Sequence, residues 1–186
     1  MIYEKEISGI FTKLRYTKVE DAEFILTLRL NPMLNRFLHK TEPDIDKQRN
    51  WVKEQQLREG DYYFIITDKE SNPVGTVALY NISKEEKDAE FGRWICPNSS
   101  IYAFESLILI HDFGFGNLGL NKIYSKILNE NKPALISHER FGYKFVKEIP
   151  GTDDFKGQKL TEYEILADDY WQIRNSKINL LKNITD

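Results

Sequence analysis

Between Asp61 and Cys96 three strand-forming runs follow one another almost without pause: "YYFIITD", "PVGTVALYNI" and "AEFGRWIC". Only the short polar turns "KESN" and "SKEEKD" separate them. Runs rich in β-branched and aromatic residues, bounded by such turns, form strands. Links this short leave no room for a crossover helix, so the three strands pair antiparallel as a meander. What comes next narrows the choice further. The stretch "SIYAFESLILIHDFGF" is apolar on most of its circumference, which a helix tolerates only when buried.

The flanking segments fill in the order. "FTKLRYT" reads as a first strand. Thr17 and Glu20 have the spacing of a capping box, and Ala22, Ile25, Leu26 and Leu30 follow at helical intervals. Asn31-Pro32 ends that helix, and "MLNRFLH" forms a short turn of its own. "DIDKQRNWVKEQQLRE" predicts a second, mostly polar helix with Trp51 and Val52 facing inward. Beyond the buried helix, "NKIYSKIL" is a strand, and "KPALISHERFG" is a short helix closed by Gly142 at its C-terminal cap. "YKFVKEI" and "LTEYEILA" are closing strands around an exposed loop, "PGTDDFKGQK". The tail, residues 170–186, is expected as a short surface helix that frays.

Strand, two helices, three strands, helix, strand, helix, two strands: this order predicts an α+β fold of the three-layer α/β type, with helices on both faces of one sheet. No repeat or linker divides the 186 residues, so a single domain over residues 1–186 is expected. A net charge of −3 offers no broad surface for nucleic acid. "MIYEKEISGI" lacks the basic flank and apolar core of a secretion signal, and "SLILI" is interrupted by His111 and Asp112 before it reaches membrane-spanning length. One cysteine and three scattered histidines leave no internal disulfide and no expected metal site. A cytoplasmic protein, binding neither membrane nor nucleic acid, is the expectation.

The element order together with "NENKPALISHERFGY" resembles the GNAT acetyltransferase superfamily. Its members carry Asn, Ala three residues on, Tyr four beyond that, and Gly-Phe at the helix end. Here those places hold Asn131, Ala134, His138, Gly142 and Tyr143. "FGNLGLNKIYSKIL" is similar to the family's passage from helix into fifth strand. The resemblance runs from Phe11 to Asp168. It implies a GNAT fold: a central mixed, mostly antiparallel sheet whose fourth and fifth strands splay to admit the pantetheine arm of acetyl-CoA. Within the superfamily, "LRLNPMLNRFL", "DYYFIITD", "PVGTVALYNIS" and "AEFGRWICP" resemble the PseH group, which acetylates the amine of a UDP-linked aminosugar. That group shares its scaffold with the RimJ/RimL protein N-terminal acetyltransferases.

The resemblance assigns roles residue by residue. The family's pyrophosphate turn falls on Asn98, Ser99, Ser100, Ile101, Tyr102 and Ala103, where only Ala103 fits the pattern and Ile101 replaces the central glycine. Helix-terminal N–H groups bind an anion whatever side chains they carry, provided these leave room. The cradle therefore depends on Ile101 turning into the core; Asn98 or Ser99 acting only as a helix cap is the competing reading. Backbone groups of Trp94, Ile95 and Cys96 would pair with the pantetheine arm, and Asn131 and Ala134 would contact the cofactor, Asn131 also capping its helix. Cys96 itself reads as a buried strand residue. His138 stands where the family's tyrosine protonates the departing thiolate, and imidazolium can do the same. Its competitor is a histidine packed beside Leu135 and Phe141.

Glu90 is the candidate general base. Strand alternation puts Glu90, Gly92, Trp94 and Cys96 on one face and Phe91, Arg93 and Ile95 on the other. Apolar neighbours of this kind favour a proton-accepting carboxylate, whereas a lysine from another strand would make Glu90 an ordinary ion pair. Arg29, Asn31, Asn35, Tyr80 and Asn81 are the acceptor-site candidates, with Arg29 for a diphosphate and Tyr80 for a base. The expected activity is acetyl-CoA-dependent acetylation of a UDP- or dTDP-linked aminosugar. A RimJ/RimL-like protein or small-amine acetyltransferase, and a non-catalytic GNAT-fold binding module, stay open as alternatives. A sheet-edge homodimer is compatible with this architecture.

Overall fold

The computed structural model describes residue 3, residues 5–96 and residues 100–184. One eight-stranded sheet organises them, in the order β1-β2-β3-β4-β5-β6-β8-β7. The strands are β1 (Ile7–Ser8), β2 (Lys13–Tyr16), β3 (Tyr62–Thr67), β4 (Pro73–Ser83), β5 (Asp88–Ile95), β6 (Lys122–Leu128), β7 (Lys144–Pro150) and β8 (Lys159–Leu166). The meander β3-β4-β5 is antiparallel throughout. β5 and β6 form the one parallel pair among the described strands, which fits the long helical connection between them.

That parallel pair is short. Asp88 pairs with Lys122, Ala89 with Ile123 and Glu90 with Tyr124; there the register ends, although β5 continues to Ile95 and β6 to Leu128. The expected splay is present, one strand number later than expected because β1 precedes the first strand read from the sequence.

Helices cover both faces. Strand alternation sorts the side chains: Phe64, Ile66, Val77, Leu79 and Phe91 join the larger core with Leu107–Ile110 of α3 (Ser100–His111). Tyr63, Ile65 and Ala78 join a smaller core with Ile25 of α1 (Ala22–Leu30) and Val52 of α2 (Ile45–Leu57). α4 (Lys132–Phe141) ends at Gly142, whose φ of +126° is costly for any residue with a Cβ. Among the described residues no helix is long and apolar enough to cross a membrane.

Two local expectations fail. Thr17 does not cap α1: its hydroxyl donates to the Tyr63 carbonyl at 2.9 Å, and Asp21 rather than Glu20 reaches back, accepting from Lys18 N. The tail is no short, frayed element from Tyr170 onward. It forms a 16-residue helix, α5 (Ala167–Lys182), anchored by fully buried Tyr170. The Tyr170 hydroxyl meets the Asp112 carboxylate at 2.7 Å and the Ile108 carbonyl at 3.0 Å, and Arg174 pairs with the same carboxylate.

Candidate active site

The gap between β5 and β6 opens into a cleft of about 890 Å³. Glu90–Trp94 of β5, Ser125–Leu128 of β6, and Asn131, Ala134 and His138 at α4 form its inner walls. Arg29, Gln48 and Trp51 from α1 and α2 also line it, as do residues of the segments 37–42 and 149–155. Those two segments meet. The His39 ring lies 4.5 Å from Phe155, His39 Nδ1 is 3.5 Å from Asp154 Oδ2, and Lys40 N donates to that oxygen at 2.8 Å.

β5 is not a regular strand. Ala78 of β4 faces Gly92, but Thr76 faces Ile95, so β5 spends three residues where β4 spends two. This is a β-bulge, and Arg93 carries its strain with a φ of +48°. The extra residue resets the alternation. Arg93 lies on the face of Glu90 and Gly92, against Tyr80, Tyr63 and Trp51. Trp94 turns to the opposite face, where its indole N–H donates to Ser106 Oγ at 3.2 Å, and Cys96 packs against the larger core. The face assignment expected for Arg93, Trp94 and Cys96 is thereby corrected. Arg93 Nη1 and Nη2 reach the two carboxylate oxygens of Asp61 at 2.5 and 3.0 Å. Burial pushes the Cys96 thiol up to about 11, which keeps it protonated and inert.

Glu90 sits where the β5–β6 pairing ends. Its surroundings are polar rather than apolar. The Tyr80 hydroxyl donates to Oε1 at 3.1 Å, the Asn81 amide donates to Oε2 at 3.0 Å, and Lys126 Nζ is 3.6 Å from Oε2. Tyr80 is the cross-strand partner of Glu90. Asn81, at φ +53°, occupies a second irregularity in β4. Burial first, and the Glu90 charge second, push the Tyr80 phenol pKa up, so it stays a donor. Tyr80 and Asn81 are thus committed to the carboxylate and not free for an incoming base.

His138 is buried, with Nδ1 2.8 Å from the Ala134 carbonyl. Nδ1 carries the proton in that contact, leaving Nε2 as a lone-pair acceptor; Nε2 has no partner among the described residues. Burial pushes the ring down to about 4. That direction works against an imidazolium at neutral pH, and Nε2 offers a lone pair instead. Rings of Phe91, Trp94 and Tyr143 surround it.

Arg29 lines the cleft, but two of its donors are engaged: Nε with Thr41 Oγ1 at 2.6 Å and Nη2 with the His39 carbonyl at 3.0 Å. Asn31 and Asn35 do not line the cleft; Asn31 Oδ1 accepts from Met33 N at 2.9 Å. Asn131 caps α4 by accepting from Ala134 N at 3.3 Å. In the first turn of α3, Ile101 packs against the larger core, and Tyr102 and Ala103 are half-buried. Asn98, Ser99 and the side chain of Ser100 lie outside the described residues. Asp61, Arg93 and Lys126 were missed from sequence; the one signal was a charged residue inside an otherwise strand-forming run. Among the described residues, no group of three or more His, Cys, Asp or Glu side chains is arranged to hold a metal ion.

The family described as acetyltransferase (GNAT) domain matches residues 12–144. The chain is 24% identical over 116 residues to acetyltransferase PseH of Campylobacter jejuni, covering 62% of this chain and 72% of that one. It is 31% identical over 94 residues to spermidine N(1)-acetyltransferase of Vibrio cholerae, covering 50% and 53%. The chain spans 53 to 72% of the length of the curated relatives it matches. A solved structure described as apo FdhC, a nucleotide-linked sugar GNAT, superposes with a TM-score of 0.78 at 28% identity, over 94% of this chain and 97% of that one.

Proposed function

This chain belongs to the GNAT acetyltransferase family, and from that premise we propose that it moves an acetyl group from acetyl-CoA to the primary amine of a nucleotide-linked aminosugar. The family uses acetyl-CoA generally. Three features of the site suit that co-substrate. The β5 edge beyond Glu90 is released from β6. Ile101, in place of the family's glycine, packs against the larger core. His138 Nε2 is a buried acceptor without a partner among the described residues. Trp94, Ile95, Asn131 and Ala134 would lie along the arm. When bound, acetyl-CoA supplies an activated acyl group for direct attack by an amine.

The rest falls to side chains. Glu90 accepts one proton of the ammonium, directly or through water, while Tyr80 and Asn81 hold its two oxygens in place. As the amine nitrogen forms the new C–N bond the thioester C–S bond breaks, and the second amine proton passes to the departing CoA thiolate. His138 Nε2 accepts a hydrogen bond from a bound N–H or S–H. The meeting of His39 and Lys40 with Asp154 and Phe155 keeps water from that part of the cleft.

The observation that carries the acceptor class is the charge of the wall. Arg29 and Lys40 line it with no ion pair among the described residues, whereas Lys47, Arg93 and Lys126 are paired with Glu42, Asp61 and Glu90. Among the described residues Arg29 forms no ion pair, and burial pushes its pKa down, the mark of a cation short of a counter-charge. A diphosphate supplies that charge. A polyamine needs the opposite wall. The PseH and FdhC likenesses support the sugar reading, and the spermidine acetyltransferase likeness supports a small-amine acceptor.

The test is release of CoA thiol with UDP- and dTDP-linked aminosugars, compared with spermidine and N-terminal peptides. We expect kcat/KM for the best sugar nucleotide to exceed that for any polyamine or peptide by at least about tenfold, the worth of one charged contact. The reverse order overturns the acceptor class. No calorimetric binding of acetyl-CoA at millimolar concentration overturns the enzyme reading itself.

A further inference from the structure

Arg93 is held from several sides in the cleft, and no step of the transfer above uses it. Its guanidinium is gripped by both oxygens of Asp61, at the start of β3, at 2.5 and 3.0 Å. Its carbonyl accepts from Thr76 Oγ1 at 2.8 Å. Its charge lies over the Tyr80 ring, 4.3 Å from the centroid, with Trp51 at 5.2 Å and Tyr63 at 5.6 Å. Its backbone meanwhile stays in the left-handed region inside a strand. Strain of that kind persists only where the surroundings over-determine it, and it collects at functional sites.

A buried ion pair is weak evidence for stability, because desolvation consumes most of its Coulomb energy. What this pair reaches is more telling. Tyr80, under the guanidinium, donates to Glu90 Oε1 at 3.1 Å. That reach is possible because residue 92 is glycine: a Cβ there would stand 2.5 Å from the Tyr80 hydroxyl oxygen. Asp61, Arg93, Tyr80 and Glu90 therefore form one contiguous chain, ending at the tip of the β5–β6 gap. With both Nη atoms engaged by Asp61, the guanidinium is poorly placed to bind substrate as well.

We propose that Arg93, held by Asp61, is a positioning residue for acetyl transfer. It fixes the β5 bulge and the Tyr80 hydroxyl, and through them the Glu90 carboxylate and the backbone edge of the gap. The part that runs through Glu90 rests on the proposed base role of that residue.

The experiment compares Arg93→Ala, Arg93→Lys, Asp61→Asn, Tyr80→Phe and the Arg93→Ala/Tyr80→Phe double variant, using acetyl-CoA and whichever acceptor in the panel turns over fastest. Thermal unfolding, kcat, both KM values and the kcat–pH profile are read for each. For Arg93→Ala we expect kcat to fall about 10- to 100-fold, the usual cost of a misplaced reacting group, with both KM values within about threefold of wild type. The acidic limb of the profile should move. The double variant should be no worse than Arg93→Ala alone, because both act through one chain. Arg93→Lys keeps the charge but loses the fork, so it should restore only part of kcat. A folded Arg93→Ala with kcat within twofold of wild type and an unmoved profile overturns the proposal. Should Arg93→Ala fail to fold, Tyr80→Phe decides, since it removes one oxygen: wild-type kcat and profile in it overturn the proposal equally. Glu90→Gln, run alongside, separates the two claims. An unchanged profile there refutes the base role, while a depressed kcat in Arg93→Ala then supports positioning of the backbone edge alone.

Discussion

Lowering the pH should unfold this protein partly through His138, by an amount that can be worked out beforehand. In the folded chain the ring sits among Phe91, Trp94 and Tyr143 with its pKa pushed down to about 4, chiefly by burial and against the opposing pull of the Ala134 carbonyl. In the unfolded chain it returns to about 6.5. Below pH 6.5 the unfolded state therefore holds a proton that the folded state refuses, so stability falls with pH. The slope approaches about 1.4 kcal/mol per pH unit, and over the roughly 2.5 pH units down to pH 4 the loss reaches about 3 kcal/mol. His111, bridging the Leu107 carbonyl and the Tyr143 hydroxyl and pushed down by burial to about 3, adds a second slope of the same sign. Carboxylates titrate too, so the readout is a difference between proteins. His138→Phe keeps an aromatic ring and removes the titration. Urea unfolding of both proteins at steps from pH 7.5 to 4, followed by tryptophan fluorescence, should show wild type losing about 3 kcal/mol more than the variant by the acid end. Parallel curves would refute the buried, neutral imidazole. The same variant should keep kcat at pH 8 within about tenfold, the worth of one hydrogen bond. A loss of about 10²- to 10⁴-fold would restore the proton-donor role.

Glu90→Gln should cost about 10²-fold in kcat at pH 6 and less at pH 9, where more of the acceptor amine is already deprotonated; a wild-type pH profile removes Glu90 as base. Arg29→Met should raise KM for a nucleotide-linked acceptor about tenfold or more while leaving KM for acetyl-CoA unchanged, because it removes the cation and frees the loop held through Thr41 and His39. An equal rise in both would place Arg29 elsewhere in function. Tyr170→Phe should destabilise by about 2 kcal/mol and lower Tm by about 4–8 °C, since its hydroxyl ties α5 to the Asp112 carboxylate. An unchanged Tm would show that α5 is held by its apolar face alone.

Most of the scaffold was legible because its signals are local. The meander announces itself in short turns, α4 in an asparagine at one end and a glycine at the other, and the buried helix in its uninterrupted apolar run. The site was legible only in part. The sequence places Glu90 on its strand and leaves open an apolar setting or a lysine from another strand; the structure supplies Lys126, whose position is set by tertiary pairing that no local pattern reports. The face carrying Arg93 was unreadable, because one extra residue in β5 reverses a period of two and nothing in "GRWIC" marks it except an arginine where apolar residues prevail. α5 was underestimated for a related reason. Its anchor, Asp112, lies 58 residues away, and no local pattern around Tyr170 reports it. For His138 the sequence shows the family position but neither the burial nor the Ala134 contact that set its pKa.

The gap between β5 and β6 is also a mechanical fact. Three rungs, from Asp88–Lys122 to Glu90–Tyr124, join the N-terminal leaf of the sheet to the C-terminal leaf along this seam. On the proposed function, a pantetheine arm held by the free β5 edge beyond Glu90 would bridge the two leaves where pairing stops. Co-substrate binding would then add to the stability of the fold. At a concentration one hundred times its dissociation constant, a ligand confined to the folded state adds about 2.7 kcal/mol of stability. On the proposed function, the chain would resist unfolding and proteolysis better with acetyl-CoA than without it.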